Sequence, residues 1–139
     1  MKVLFNPVQF CSKENTYKSG NHTITETYND NNFLERTMEF DEFGRDTDVK
    51  WYDMNGKVTG HMHKDYFETE NEKGHVETFK NQFQEYTRKA YTKIEAGFRH
   101  TIDDYKSKTK PESSYINEFV YDMNKRLVKI ITNGKVTVL

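Results

Sequence analysis

Apolar and polar residues alternate along much of this chain, and the alternation is broken at regular intervals by turn residues. In "SYINEFVY", residues 114 to 121, Tyr115, Phe119 and Tyr121 fall on one face of an extended strand. In "DTDVKWY", residues 46 to 52, Thr47, Val49 and Trp51 share a face. "LVKIIT" and "KVTVL" flank Asn133-Gly134, the pair most suited to a two-residue hairpin turn. Numerous threonines suit strands, where branching at Cβ costs little. Only 76 to 94 is ambiguous. Val76, Phe79, Phe83, Tyr86, Ala90 and Ile94 recur at steps of three and four, as on a helix face. The same residues also read as strands, with "EYTRKAYTKI" pairing "FRHTIDDYK" around Glu95-Ala96-Gly97.

The breaks themselves repeat. Tyr28-Asn29-Asp30, Phe40-Asp41 and Tyr52-Asp53 begin twelve residues apart. The second and third continue as "FDEFGRDTDVKW" and "YDMNGKVTGHMH": an aromatic, Asp, two variable residues, Gly and a cation. "YDMNKRLVKI" repeats the pattern with Lys125 in the glycine position, and "NEKGHVETF" at 71 to 79 keeps the glycine without the aromatic. Asp or Asn opens a turn by bonding its own backbone, and Gly or Asn supplies positive φ. In "WYDMNGKVTG" this assigns the cap to Asp53 and the positive-φ positions to Asn55-Gly56. One strand and one tight turn fit this spacing, so the prediction is a mainly β, antiparallel meander of about seven to ten strands. It leaves room for curling into a half-barrel or sandwich, and for one helix within 76 to 95. Residues 106 to 114, "KSKTKPESS", read as a mobile loop.

These repeats resemble the YD repeats of RHS-type proteins and the short YDxxGK strand-turn repeats of MORN-like bacterial proteins, some of them antitoxins. The resemblance covers about a third of the chain. It implies a β-meander that presents surface to a partner, and no catalytic residue.

Composition changes the picture in one respect. With 34% hydrophobic and 31% charged residues the chain approaches the disordered range, but ten Phe, nine Tyr and one Trp argue for a folded, aromatic-rich core. At 139 residues one domain, 1 to 139, is expected. A net charge of −1 supplies no field for nucleic acid, so nucleic-acid binding is disfavoured. Cys11 is the only cysteine, which excludes an intrachain disulfide and a cysteine-based zinc site. "MKVLFNPVQF" is too short an apolar run for a secretory signal and no stretch is long enough to span a membrane, so a cytoplasmic protein with no membrane association is expected.

Candidate chemistry is sparse. His61, His63 and Asp65 of "HMHKD" alternate toward one side of a strand, the spacing of a weak metal candidate set; a solvated polar face gives the same pattern. Asp103 and Asp104 point to opposite faces, against a paired-carboxylate site. No nucleophile motif or phosphate loop occurs, and no catalytic residue, metal or cofactor is assigned. Aromatics outside the core, with Trp51, Tyr52, Tyr66, Tyr91 and Tyr105 as candidates, point to a protein partner. The expected function is a non-enzymatic interaction protein that occludes a protein partner, of immunity, antitoxin or anti-defence type. The alternative is a small-ligand-binding or enzymatic β-barrel with an aromatic-lined cavity.

Overall fold

The computed structural model describes residues 13–139; Cys11 and the N-terminal apolar run lie outside them. Eleven strands follow one another: β1 (Lys13–Ser19), β2 (His22–Tyr28), β3 (Leu34–Phe40), β4 (Asp46–Tyr52), β5 (Val58–Glu68), β6 (Glu72–Asn81), β7 (Glu85–Glu95), β8 (Phe98–Ser107), β9 (Tyr115–Tyr121), β10 (Leu127–Thr132) and β11 (Lys135–Val138). Strand order in the sheet is chain order, and the ladders are antiparallel. The meander is as expected, with somewhat more strands than seven to ten. The chain forms two compact units, divided after His63, so β5 contributes its first residues to one and its last to the other.

In the first unit, Thr25, Met38, Val49 and Met62 are successive cross-strand neighbours, and Val49 is buried among them. In the second unit the corresponding row runs Gly74, Tyr91, Ile102, Glu118, Ile131 and Val136, with Ile102 buried. Val49 and Ile102 are the two buried hydrophobic side chains among the described residues. The core is thin because each strand shares its apolar residues with long, half-buried polar neighbours.

The repeat is a turn of one fixed construction. At Asp53, the Gly56 N–H donates to the Asp53 carbonyl (3.0 Å) and the Asp53 N–H to the Lys57 carbonyl (2.9 Å). Asp53 Oδ1 accepts the N–H groups of Asn55 and Lys57, both at 2.9 Å. Asp41, Asn29 and Asp122 make the same four bonds in their own turns. Each is a type I turn closed by a left-handed residue, with a bulge where the aromatic pairs across the hairpin. Gly56 carries φ 81°. Asn55 does not have positive φ, a correction to the assignment of both residues: this loop is longer than a two-residue turn and needs one left-handed position. Asn133 (48°) and Gly134 (85°) do form the two-residue turn.

Residues 76 to 94 are strand, turn and strand. Val76 and Phe79 point to opposite faces of β6. Phe83 sits exposed in a turn where Asn81 Oδ1 accepts the N–H groups of Phe83 (2.8 Å) and Gln84 (2.7 Å). The helical spacing lost to a nine-pair β6–β7 ladder, and no α-helix occurs among the described residues. Gly74 is likewise no turn residue. It lies within β6 opposite Tyr91, where an added Cβ would collide with the Ala90 carbonyl and the Tyr91 Cα. Gly60, buried, lies within β5 opposite Trp51. The 106–114 stretch opens inside β8: buried Ser107 donates through Oγ to the Glu85 carbonyl (3.1 Å) and accepts the Lys110 N–H (2.9 Å). A 3-10 turn, Pro111–Ser113, follows.

Two variants test the turn. No atom stands within 4 Å of a Cβ added at Gly56, so any cost of Gly56→Val is conformational. It should destabilise by about 1–3 kcal/mol. Lys125 holds φ 63° without being glycine, and Lys125→Gly should stabilise by about 1 kcal/mol. Urea melts measure both, and a silent Gly56→Val would refute the left-handed turn.

Candidate functional site

On one face of the second unit, cross-strand register brings four aromatics into a slanting row. Phe79 (β6) is stacked against Tyr86 (β7) with ring centroids 5.3 Å apart, Tyr86 packs tilted against Tyr105 (β8) at 5.1 Å, and Tyr105 is stacked against Tyr115 (β9) at 5.1 Å. The spacing is close to the interstrand distance, so each ring stands on its own strand and packs against the next. Tyr115 ends the row, 36% exposed. The β9–β10 ladder ends at Asn117↔Thr132, two residues short of Tyr115.

Charged groups border the row. Arg88 grips Asp103 through two bonds, Nε to Oδ1 at 2.6 Å and Nη2 to Oδ2 at 2.9 Å. The hydrogen bond to Asp103 is the main cause that pushes the Arg88 pKa up. The Tyr86 hydroxyl donates to Glu77 Oε2 at 2.6 Å, and Lys64 Nζ lies 3.9 Å from the other Glu77 oxygen. Glu77 is buried, at 9% exposure. Burial first, then the Glu77 carboxylate, drives the Tyr86 phenol far above its ordinary value, so it stays a proton donor to Glu77 at every physiological pH.

The five aromatic candidates do not form one patch. Trp51 and Tyr52 point to opposite faces of β4, and the Tyr52 hydroxyl is 3.2 Å from Thr37 Oγ1. Tyr66 packs against His75 with centroids 5.5 Å apart. Tyr91 lies on the face opposite Tyr105, beneath Lys89 Nζ at 4.3 Å, which also sits 5.3 Å over Phe67. All five are half-buried in cross-strand contacts. Of them, only Tyr105 belongs to the row. Phe79, Tyr86 and Tyr115, with Arg88 and Glu77, escape a reading based on spacing, because strand register assembles them.

In the first unit, His61 Nε2 and His63 Nδ1 both bond Asp48 Oδ1, at 2.8 and 3.0 Å. Asp48 on β4 is thus a carboxylate partner of both histidines, and they are not a freely solvated face. No group of three or more His, Cys, Asp or Glu is arranged to hold a metal among the described residues. Glu39, directly across from Asp48, takes His22 Nδ1 at 2.6 Å. Asp103 and Asp104 do take opposite faces, Asp104 lying 3.9 Å from Lys106 Nζ. The surface includes solvent-open grooves, one of about 330 Å³ beside Ile24, Thr37, Lys50 and Tyr52 and another of about 430 Å³ beside Thr69, Lys93 and Ile94. No helix among the described residues is long and apolar enough to cross a membrane.

With this geometry in view, no protein-family model, curated protein or solved structure matches the chain.

Two measurements follow from buried Glu77 and half-buried Asp48. Tyr86→Phe removes the hydroxyl donor of buried Glu77 and should cost about 1–3 kcal/mol in urea melts. For Asp48, burial is the largest single influence and raises the pKa, but the bonds and charges of His61 and His63 outweigh it and the net shift is downward. Ionised Asp48 therefore stabilises the fold above the ordinary carboxylate value of about 4, and the contribution is lost as pH falls through the lowered folded value. Asp48→Asn should lower the melting temperature at neutral pH, with the gap to wild type closing below about pH 4. A gap that widens in acid would contradict this.

Proposed function

We propose that this is a non-enzymatic interaction protein that binds and occludes another protein, in the manner of immunity proteins, antitoxins and anti-defence inhibitors. The single observation that supports it most is the row Phe79–Tyr86–Tyr105–Tyr115, which ends in an exposed ring. A pre-stacked row of rings offers large contact area and loses little side-chain entropy on binding, the character of interface hot spots. Arg88, Asp103 and Asn117 give the row a polar border of the kind that fixes register at an interface. A partner aromatic placed over Tyr115 would extend the stack by one ring. The repeated aromatic–Asp turns, with their likeness to YD and MORN-like repeats, support the same surface-presenting role. This reading takes the protein to work in the cytoplasm. The ligand-cavity alternative would draw on grooves such as those beside Tyr52 and Ile94, and both of these are open to solvent.

Affinity capture from native lysate, using wild type beside Tyr115→Ala and Tyr105→Ala, tests the proposal. Wild type should retain a stoichiometric protein, and Tyr115→Ala should weaken its binding by tenfold or more, about the lower bound for a hot spot. Melting curves of the variants keep lost binding separate from lost folding. Capture of no stoichiometric protein, or capture undiminished in both folded variants, would sink the idea.

A further inference from the structure

β1 is an edge strand whose exposed side has a symmetry of its own. All seven residues are exposed, and β2 is its ladder partner. The β1–β2 register runs without a bulge from Lys13↔Tyr28 to Ser19↔His22. Ser19 and His22 flank a two-residue turn, which makes them a hydrogen-bonded pair, and alternation then sends the amide groups of Lys13, Asn15, Tyr17 and Ser19 toward β2. Those of Glu14, Thr16 and Lys18 point away from it. Lys13, Asn15 and Thr16 engage the sheet through their side chains, with Asn32 (3.0 Å), Glu26 (3.1 Å) and Thr25 (3.1 Å). Glu14 and Lys18 have no side-chain partner among the described residues.

We infer that two copies of this chain pair through β1, antiparallel, about a twofold axis at Thr16. In that register Glu14 lies opposite the second copy's Lys18, Lys18 opposite its Glu14, and Thr16 opposite its Thr16. These are the three residues whose amides face outward, so the seam closes with about six main-chain hydrogen bonds. Both unpartnered charges gain an opposite charge directly across the seam. Sliding the register by two residues in either direction loses both charge pairs and some of the hydrogen bonds. Side by side in parallel, Glu14 would meet Glu14 and Lys18 would meet Lys18. Among the described residues β1 holds no proline and no bulge, and its lysine at 18 is neutralised by the second copy's Glu14. β11, the other edge strand, is four residues long and turns only Val136 and Val138 outward, so it supports a shorter seam.

Sedimentation velocity on the full chain reads this out. Wild type should show a monomer–dimer equilibrium. Glu14→Lys and Lys18→Glu each set like charges opposite one another twice, and each should raise the dimer Kd about tenfold or more. An equimolar mixture of the two variants should dimerise again, because only the mixed pair restores opposite charges at both ends. The double variant Glu14→Lys/Lys18→Glu should form homodimers like wild type. Both positions are exposed, so melting temperatures should stay close to wild type and exclude unfolding as the cause. Wild type monomeric up to about 1 mM, beyond the range of weak specific contacts, would overturn the inference. So would single variants that dimerise like wild type, which would move any contact to another surface, or a mixture that stays monomeric.

Discussion

A strand has two faces and two edges, and in this chain the cover for a face comes chiefly from side chains on the neighbouring strands. Among the described residues few apolar side chains are sealed from water: Val49 in one unit and Ile102 in the other. What holds the strands is the backbone ladder together with pairs that reach across it. Phe79 against Tyr86, Arg88 clamped on Asp103, and Lys89 between the rings of Phe67 and Tyr91 are such pairs. Each contributes a fraction of a kcal/mol to about one, so stability must be distributed over many of them. That explains a composition rich in charge and aromatics and poor in small aliphatics. Long side chains cover a half-exposed face by lying along it.

Distribution has an exception where acids are withdrawn from water. Glu77 and Asp48 are each held by specific donors, Tyr86 for the first and two histidines for the second. An acid in this position is costly to leave alone, because removing the donor does not return the carboxylate to solvent. These two positions therefore matter more than surface ion pairs such as Lys106 with Asp104.

The same architecture bears on function. A meander leaves rings and edges on view that a closed barrel would conceal. The aromatic row has a polar border, and β1 has outward amides with no partner among the described residues and balanced charge. They lie on different units, and the partners proposed for them differ: a foreign surface for the first and a second copy for the other. Neither needs an assembled catalytic set, and the histidine–aspartate cluster serves Asp48 as a structural contact.

What the sequence determined by itself is local. The twelve-residue beat, the Asp cap and the left-handed glycine are readable because a turn is specified by the few residues that form it, and Asn29, Asp41, Asp53 and Asp122 build the same turn wherever they stand. Alternation likewise placed Val49 and Trp51 on one face, and Asp103 and Asp104 on two. Tertiary structure decided whatever depends on which strand lies beside which. Spacing alone did not reveal Asp48, which the β4–β5 register brings to His61 and His63. Gly74 looked like a turn residue until β7 came too close for any Cβ, and the helical spacing of 76 to 94 yielded to a ladder that local propensity does not contain. The aromatic row was illegible for the same reason. Phe79, Tyr86, Tyr105 and Tyr115 have no common period along the chain, and only hydrogen-bonded register converts their separation in sequence into contact in space.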